Sequence, residues 1–213
     1  MNRREAITVL GGAAAVMWPV AMHAQQPERV RRIGLLTGSA DDAFTQARVK
    51  ALLQGLQELG WVDGGNVRFD YRFAAGETSR VPAYVAELVD LTPDLIVALN
   101  SPVVAALKRA TSSIPVVFVA VADPVEQGFV ASLAHPNGNI TGQSTSRLAE
   151  EHRVPAIYGY RSLVAEGGLM SFGADQIDIF RRSASYVDRI LKGARPADLP
   201  VQRPVKYSRG GHG

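Results

Sequence analysis

The chain has 213 residues, no cysteine, 46% hydrophobic residues and 20% charged residues. This composition is typical of a globular protein and excludes a disordered or fibrous one, while the lack of cysteine excludes disulfides and thiolate sites. The formal charge is +3, and no run of Lys and Arg alternates with aromatic residues, so we expect no nucleic-acid partner. The length fits one domain or two small ones.

The first 24 residues have the pattern of an export signal. Arg3 and Arg4 precede an apolar run over residues 6–21, and Ala24 stands at the expected cleavage position. A basic start, an apolar core and a small residue before the cut are the features of such leaders. The paired arginines resemble those of a twin-arginine leader. We therefore expect a periplasmic protein with a twin-arginine-like signal at 1–24; the alternative is an amphiphilic anchor that is never removed.

Strands and helices are predicted to alternate from residue 30 to residue 145. Apolar runs predict the strands, and apolar residues at helical spacing predict the helices between them. The predicted strands are 32–37, 67–73, 95–99, 114–121 and a fifth starting at 140, and the predicted helices are 49–59, 81–89, 103–110 and 125–133. This alternation predicts an α/β fold with a doubly wound parallel sheet that is covered on both faces.

The chain after residue 146 follows a different pattern. Two short strands are predicted at 154–158 and 168–173, and a long helix follows, with apolar positions from Ile177 to Leu191. The segment 199–207 contains two prolines, which is typical of an irregular or edge strand. Residues 208–213 are expected to be disordered.

Small polar residues follow three of the predicted strands. Ser39 follows the first strand, Asn100 and Ser101 follow the third, and Asp123 follows the fourth. In open parallel sheets, ligands bind outside the carboxyl ends of the strands, where helix N-termini favour an anionic group. These residues are therefore candidate ligand-binding residues. The alternative interpretation is that Ser101 and Asp123 are ordinary helix caps.

Enzymatic signatures are not found in the sequence. No glycine-rich phosphate loop follows the first strand, and no nucleophile elbow is present. The four histidines lack metal-ligand spacing, and the adjacent carboxylates Asp41 and Asp42 are interpreted as solvated surface. We therefore predict no catalytic residue, no metal and no cofactor. The alternative from another class is an exported single-lobe α/β enzyme that uses Asp123 as its acid or base.

Nine segments, taken in order, resemble one known family. They are Ile33–Ser39, Gly55–Val67, Val81–Val89, Ser113–Phe118, Ala122–Val125, Asn137–Gly142, Val154–Tyr158, Glu166–Gly173 and Ile190–Gln202. Together they resemble bacterial ABC transporter substrate-binding proteins of the tryptophan/tyrosine type. The resemblance implies the two-lobed type I periplasmic-binding fold, a small amino acid-like solute or similar carboxylate, and an ABC permease in the inner membrane as partner.

The resemblance also implies where the ligand-binding residues lie. Ser39, Asn100, Ser101 and Asp123 belong to lobe one, and Tyr158 and Ser171 belong to what remains of lobe two.

The sequence departs from the family pattern after residue 145. The family has a substantial α/β stretch before the segment that matches Val154–Tyr158, and here that stretch is missing. We therefore predict lobe one at 30–145, an incomplete second lobe at 146–175, and a returning helix and tail at 176–207 that pack on lobe one. A complete lobe of this kind needs about 100 to 150 residues, whereas 146–175 supplies only about 30. Because one wall of the ligand site is then mostly missing, we expect ligand capture to be impaired. A third alternative is a non-binding remnant or interaction module whose lobe-two strands pair between chains.

Overall fold

The computed structural model of the protein describes residues 29–145 and 170–211. The expected export signal, the predicted strand at 154–158 and Tyr158 lie outside the described residues. The strands of the main sheet are β1 (Arg31–Thr37), β2 (Val67–Phe73), β3 (Leu95–Leu99), β4 (Val116–Ala122) and β5 (Ile140–Thr145). The helices are α1 (Ala43–Glu58), α2 (Val81–Asp90), α3 (Ser101–Ala110) and α4 (Gln176–Leu191).

The main sheet is parallel throughout, in the order β2-β1-β3-β4-β5. Its central strand β3 is apolar at every position, and all five of its residues are buried. A strand that is buried on both faces must be covered on both faces. The predicted doubly wound α/β sheet is therefore confirmed.

Each face of the sheet carries its own hydrophobic core. On one face, α1 and α4 pack against side chains such as Leu35, Val97 and Val117. On the other face, α2 and α3 pack against Leu36, Ile96 and Phe118. The alternation of side chains along each strand sends neighbouring residues to opposite cores.

The last helix returns to the first. A Cβ atom added at Gly55 in α1 would lie 2.6 Å from the carbonyl oxygen of Arg181 and 2.9 Å from the Cβ of Ala184 in α4. The missing side chain therefore allows the two helices to approach closely. Beyond α4, the hydroxyl of Thr141 donates to the carbonyl oxygen of Leu199 at 2.5 Å, which fixes the tail against β5.

A second, two-stranded sheet joins distant parts of the chain. Strand β6 (Met170–Ala174) pairs antiparallel with β7 (Tyr207–Gly211). The expectation of a disordered tail at 208–213 is corrected for residues 208–211, which belong to β7. The reason is that a ladder is made by backbone groups, so a glycine-rich segment can pair wherever a strand edge is available.

The helix predicted at 125–133 does not form. The chain makes isolated turns instead, in which the N–H of Phe129 donates to the carbonyl oxygen of Pro124 at 2.8 Å. Asp123 and Gly128 have positive φ values of 40° and 68°, which interrupt a right-handed helix. Among the described residues, no helix is both long and apolar enough to cross a membrane.

Candidate functional site

A pocket of about 270 Å³ lies at the carboxyl edge of the main sheet. It is lined by the ends of β3 and β4 and by the first two turns of α1 and α4. The residues that line it are Ser39, Asp42, Phe44, Thr45, Arg48, Leu99, Asn100, Val119, Ala120, Gln176 and Phe180. We call this set the carboxyl-edge pocket. Its position is the one at which open parallel sheets bind ligands.

The structure brings together two of the six predicted site residues. Ser39 and Asn100 line the carboxyl-edge pocket, whereas Ser101 and Asp123 are not among its lining residues. Asp123 was expected before a helix, but only turns follow it, so it has no helix N-terminus to cap or to share with a ligand. Ser171 lies on β6 in the second sheet, and Tyr158 is outside the described residues.

Asn100 combines backbone strain with an unsatisfied side chain. Its φ and ψ angles are 79° and 157°, a region that is almost confined to glycine and that costs about 1–3 kcal/mol. Asn100 occupies the N-cap position of α3 without a capping hydrogen bond from its side chain. Its buried Oδ1 atom has no hydrogen-bond partner. Helix capping therefore does not explain this residue, and its strain favours a functional role.

A second amide lies on the opposite side of the pocket. Gln176 is the first residue of α4, and its buried Oε1 atom also lacks a hydrogen-bond partner. The preceding residue, Asp175, accepts the N–H of Asp178 at 3.1 Å and contacts the Lys206 ammonium at 3.1 Å. Desolvation alone would raise the pKa of Asp175, but these two interactions outweigh it and lower the pKa. The start of α4 therefore carries a stable negative charge beside the pocket.

The N-terminal part of α1, with the residue that caps it, supplies a charge of each sign. Asp42 caps this helix, since its Oδ1 accepts the N–H of Thr45 at 2.7 Å, and this hydrogen bond lowers the pKa of the carboxyl group. One turn later, the guanidinium carbon of Arg48 lies 4.4 Å from the ring centroid of Phe44 and 5.3 Å from that of Phe180. Cation–π contacts of this kind hold an arginine in place. The Asp42 carboxyl group is therefore ionised at neutral pH, as arginine side chains in general are.

Sequence reasoning missed most of this pocket. The sequence predicts solvated surface for Asp42 and an apolar position of the long helix for Phe180, and it gives no role to Arg48 or Gln176. A signal for Asp42 was present, because an aspartate before a helical pattern is a strong capping signal. No comparable signal marks Arg48, since its place in the pocket depends on Phe180 in the returning helix.

The arrangement suits a small solute with several polar groups. It offers two amide oxygens in need of donors, one carboxylate, one guanidinium and two aromatic rings. Its volume of about 270 Å³ is close to the lower limit of about 300 Å³ for small-molecule sites. Within the described part of the chain, no group of three or more His, Asp or Glu side chains could hold a metal ion.

A doubly wound lobe with a small-solute pocket at its carboxyl edge is the architecture of a type I periplasmic-binding lobe. The family model for ABC transporter substrate binding proteins matches residues 39–154 and 144–208. These segments make up well over half of the chain, so the chain belongs to this family and the resemblance seen in the sequence is confirmed. At the family level the assignment is to binding proteins rather than enzymes.

Individual relatives agree with this assignment. The chain is 36% identical over 95 residues to a tyrosine-binding protein of Clostridioides difficile (strain R20291), and the match covers 45% of this chain but only 28% of that protein. A conserved domain protein from Vibrio cholerae has a TM-score of 0.75 at 21% identity, over 86% of this chain and 92% of the other.

A further solved structure is an ABC domain in complex with L-Trp from Streptococcus pneumoniae. It has a TM-score of 0.74 at 20% identity, over 84% of this chain and 90% of the other. At such identities the two structural likenesses establish the fold and leave the ligand open.

Proposed function

We propose that the protein is the extracytoplasmic solute-binding component of an ABC uptake transporter. The carboxyl-edge pocket is one wall of its solute site, and an inner-membrane permease receives the solute. The observation that carries this proposal is Asn100, which holds a strained backbone and an unsatisfied buried Oδ1 at the pocket. Strain of this kind persists only where the surrounding structure enforces it, and it clusters at ligand sites.

The proposed solute is amino acid-like or a similar small carboxylate. The Oδ1 of Asn100 and the Oε1 of Gln176 both require hydrogen-bond donors, which an ammonium group supplies. Arg48 is the cation of the pocket and suits a carboxylate. The tyrosine-binding relative and the L-Trp complex support the same class of solute.

We further propose that the second wall of the site is incomplete. Lobe one comprises 30–145, the remnant of lobe two 146–175, and the returning helix and tail 176–207. Ninety-five matched residues make up 45% of this chain but 28% of the tyrosine-binding relative, so the relative is the longer protein. The family match is also broken into two segments that overlap at 144–154, where the sequence departs from the family pattern.

An incomplete wall has a predictable energetic cost. Binding proteins of this kind capture a solute by closing two lobes around it, and a closed site buries most of the ligand surface. Without most of one wall, about half of the contacts and the closing step are lost. We expect an affinity loss of at least about a thousandfold, at about 1.4 kcal/mol per factor of ten.

Export to the periplasm completes the proposal. Its support is the leader-like segment 1–24, in which Arg3 and Arg4 precede an apolar run. Fractionation of cells that produce the full chain tests this directly. Replacing both arginines by lysine is expected to trap the protein in the cytoplasm, while an unchanged distribution would argue against the twin-arginine route.

Solute binding is best tested by NMR titration of the full chain with a panel of aromatic and aliphatic amino acids. We expect amide shifts around Asn100 and Gln176 with dissociation constants above about 1 mM. Asn100→Ala should abolish these shifts. The matched control is Asn137→Ala, because Asn137 also has a positive φ (55°) but lies in the turn before β5.

The possible outcomes separate the parts of the proposal. Micromolar binding would overturn the incomplete wall while keeping the solute-binding function. Amide shifts that are confined to another surface would contradict the assignment of the pocket. So would an equal loss of solute-induced shifts in the Asn100→Ala and Asn137→Ala variants.

A further inference from the structure

A second concave surface lies at the amino edge of the sheet, opposite the carboxyl-edge pocket. It encloses about 1060 Å³ between the chain entering β1, the loop after α1 and the end of α4. We call it the amino-edge surface and define it by four residues that line it, Arg29, Leu59, Trp61 and Lys192, together with Val30 and Val62, which follow Arg29 and Trp61 in the chain at its rim. Nothing in the proposed solute site uses these residues.

The amino-edge surface exposes apolar side chains. Val30, Leu59 and Val62 are 51%, 42% and 49% exposed. Beside them, Trp61 is partly buried, and its indole N–H donates to the Oδ1 of Asp188 at 3.0 Å. Exposed apolar side chains at the edge of the same surface as a tryptophan are typical of a surface that contacts another phase or molecule.

The same surface presents positive charge to solvent. The side chains of Arg29 and Lys192 are 76% and 62% exposed, whereas their acidic partners Asp94 and Asp188 are largely buried. The positively charged groups of Arg29 and Lys192 therefore face solvent more than the carboxylates with which they pair. Attraction to the negative end of a helix accounts for Lys192, which caps α4, but not for Arg29, which precedes a strand.

The position of Arg29 in the chain indicates what the surface meets. Residues 22–28 link the apolar run 6–21 of the leader to Arg29. These seven residues span at most about 25 Å when they are fully extended. A leader held in a bilayer, before cleavage or as a retained anchor, places the amino-edge surface within reach of lipid headgroups. Basic and apolar side chains together are the features of interfacial binding to anionic lipid.

We propose that the amino-edge surface binds anionic phospholipid at the membrane surface. In this orientation the carboxyl-edge pocket, at the opposite end of the parallel sheet, faces away from the lipid. The place of the encounter rests on the export proposed above. The binding itself requires neither export nor a bound solute, so its failure and the failure of the proposed function are distinguishable.

Vesicle sedimentation of the full chain tests the proposal. The probe is phosphatidylcholine vesicles with and without about one third phosphatidylglycerol, and the readout is the extra binding that phosphatidylglycerol causes. For Arg29→Glu with Val62→Glu we expect this increment to fall by about fivefold or more, and raised salt should reduce it for the unaltered chain. The leader contributes equally to all variants.

The matched control makes the same two types of substitution, Arg to Glu and Val to Glu, at the carboxyl edge. Arg80→Glu with Val125→Glu replaces two exposed residues there and should leave the increment unchanged. Circular dichroism establishes that both variants are folded. If both variants lose the same part of the phosphatidylglycerol-dependent binding, net charge alone explains the effect and the proposal is overturned. Unchanged binding of the Arg29→Glu, Val62→Glu variant would also overturn it.

Fluorescence locates the contact independently. The chain has two tryptophans, Trp18 in the leader and Trp61, so Trp18→Phe leaves Trp61 as the single reporter. Vesicles containing phosphatidylglycerol and lipids brominated near the headgroup should quench Trp61 in this variant. If the protein sediments with the vesicles but the fluorescence of Trp61 is not quenched, another surface makes the contact, and the proposal is contradicted.

Discussion

The amide group of Asn100 occupies the space in which a side chain at Gly38 would lie. A Cβ atom added at Gly38 would be 2.6 Å from the Nδ2 atom of Asn100 and 3.1 Å from its Oδ1 atom. These residues follow the neighbouring strands β1 and β3, which are paired in register up to Thr37 and Leu99. The glycine after one strand thus makes room for the polar side chain after the next.

Gly38→Ala is expected to destabilise the fold through this contact. The added methyl group must displace the Asn100 amide, at a cost of about 1–3 kcal/mol in the free energy of unfolding. In an Asn100→Ala background the same change should be nearly neutral, because the obstructing group is gone. Urea unfolding of both single variants and the double variant measures this coupling. Additive effects would show that the two side chains do not compete for space.

Asn100→Gly is expected to stabilise the protein while weakening solute binding. Glycine adopts the observed φ of 79° without strain, and the relief exceeds the extra entropy of the unfolded chain, for a net gain of about 1 kcal/mol. The pocket loses its amide oxygen at the same time. Thermal unfolding and NMR titration of one preparation measure both effects. A loss of stability would indicate that the backbone at Asn100 is not strained.

Gly55→Ala should destabilise the protein although alanine favours helices. The new Cβ atom would lie 2.6 Å from the Arg181 carbonyl oxygen, so α1 and α4 must move apart. We expect a net loss of about 1–3 kcal/mol, against a propensity gain of about 1 kcal/mol. The control Ala47→Gly lies on the exposed face of α1 and isolates the propensity contribution. A more stable Gly55→Ala protein would contradict the close approach of the two helices.

Stability should decrease in acid because of the ion pair between β1 and β2. The Arg32 Nε atom lies 2.6 Å from the Oδ2 atom of Asp70, and this hydrogen bond lowers the pKa of the carboxyl group. A lowered pKa in the folded state stabilises the protein above the unfolded value of about 3.9, and this contribution is lost as the pH falls through the folded value.

Asp70→Asn is the variant that tests this pH dependence. It should be less stable than the unaltered protein near neutral pH and should show a shallower loss of stability below about pH 4. Urea unfolding over a pH series measures both, with Asp90→Asn at the exposed end of α2 as the control. An acid profile that is identical with and without Asp70 would remove this pair as a cause.

The sheet could be predicted from the sequence because its signal is local. The apolar runs 95–99 and 114–121 predict buried strands without reference to the rest of the chain, because each is too short for a helix and too apolar for a surface strand. The edge positions of Ser39 and Asn100 followed from the same alternation. What the pattern over 125–133 could not reveal is the left-handed backbone of Asp123, since apolar spacing does not report φ.

The missed part of the pocket depends on contacts between distant residues. Arg48 and Phe180 are far apart in the chain, and their contact exists only because α4 returns to α1. Strand β7 was missed for the same reason, because its glycines pair with β6 through backbone groups alone. Tertiary placement of this kind leaves no periodic trace in the sequence.

The pocket between α1 and α4 makes the proposed solute site depend on a part of the chain that is synthesised after strands β1 to β5. The wall formed by Gln176 and Phe180 is added to a sheet whose strands β1 to β5 are already complete in sequence. A nascent chain that stops before α4, or a molecule clipped by a protease ahead of that helix, keeps strands β1 to β5 and loses one wall of the proposed solute site. If the proposed site is correct, a bound solute stabilises the docked helix and protects the chain ahead of α4 from cleavage.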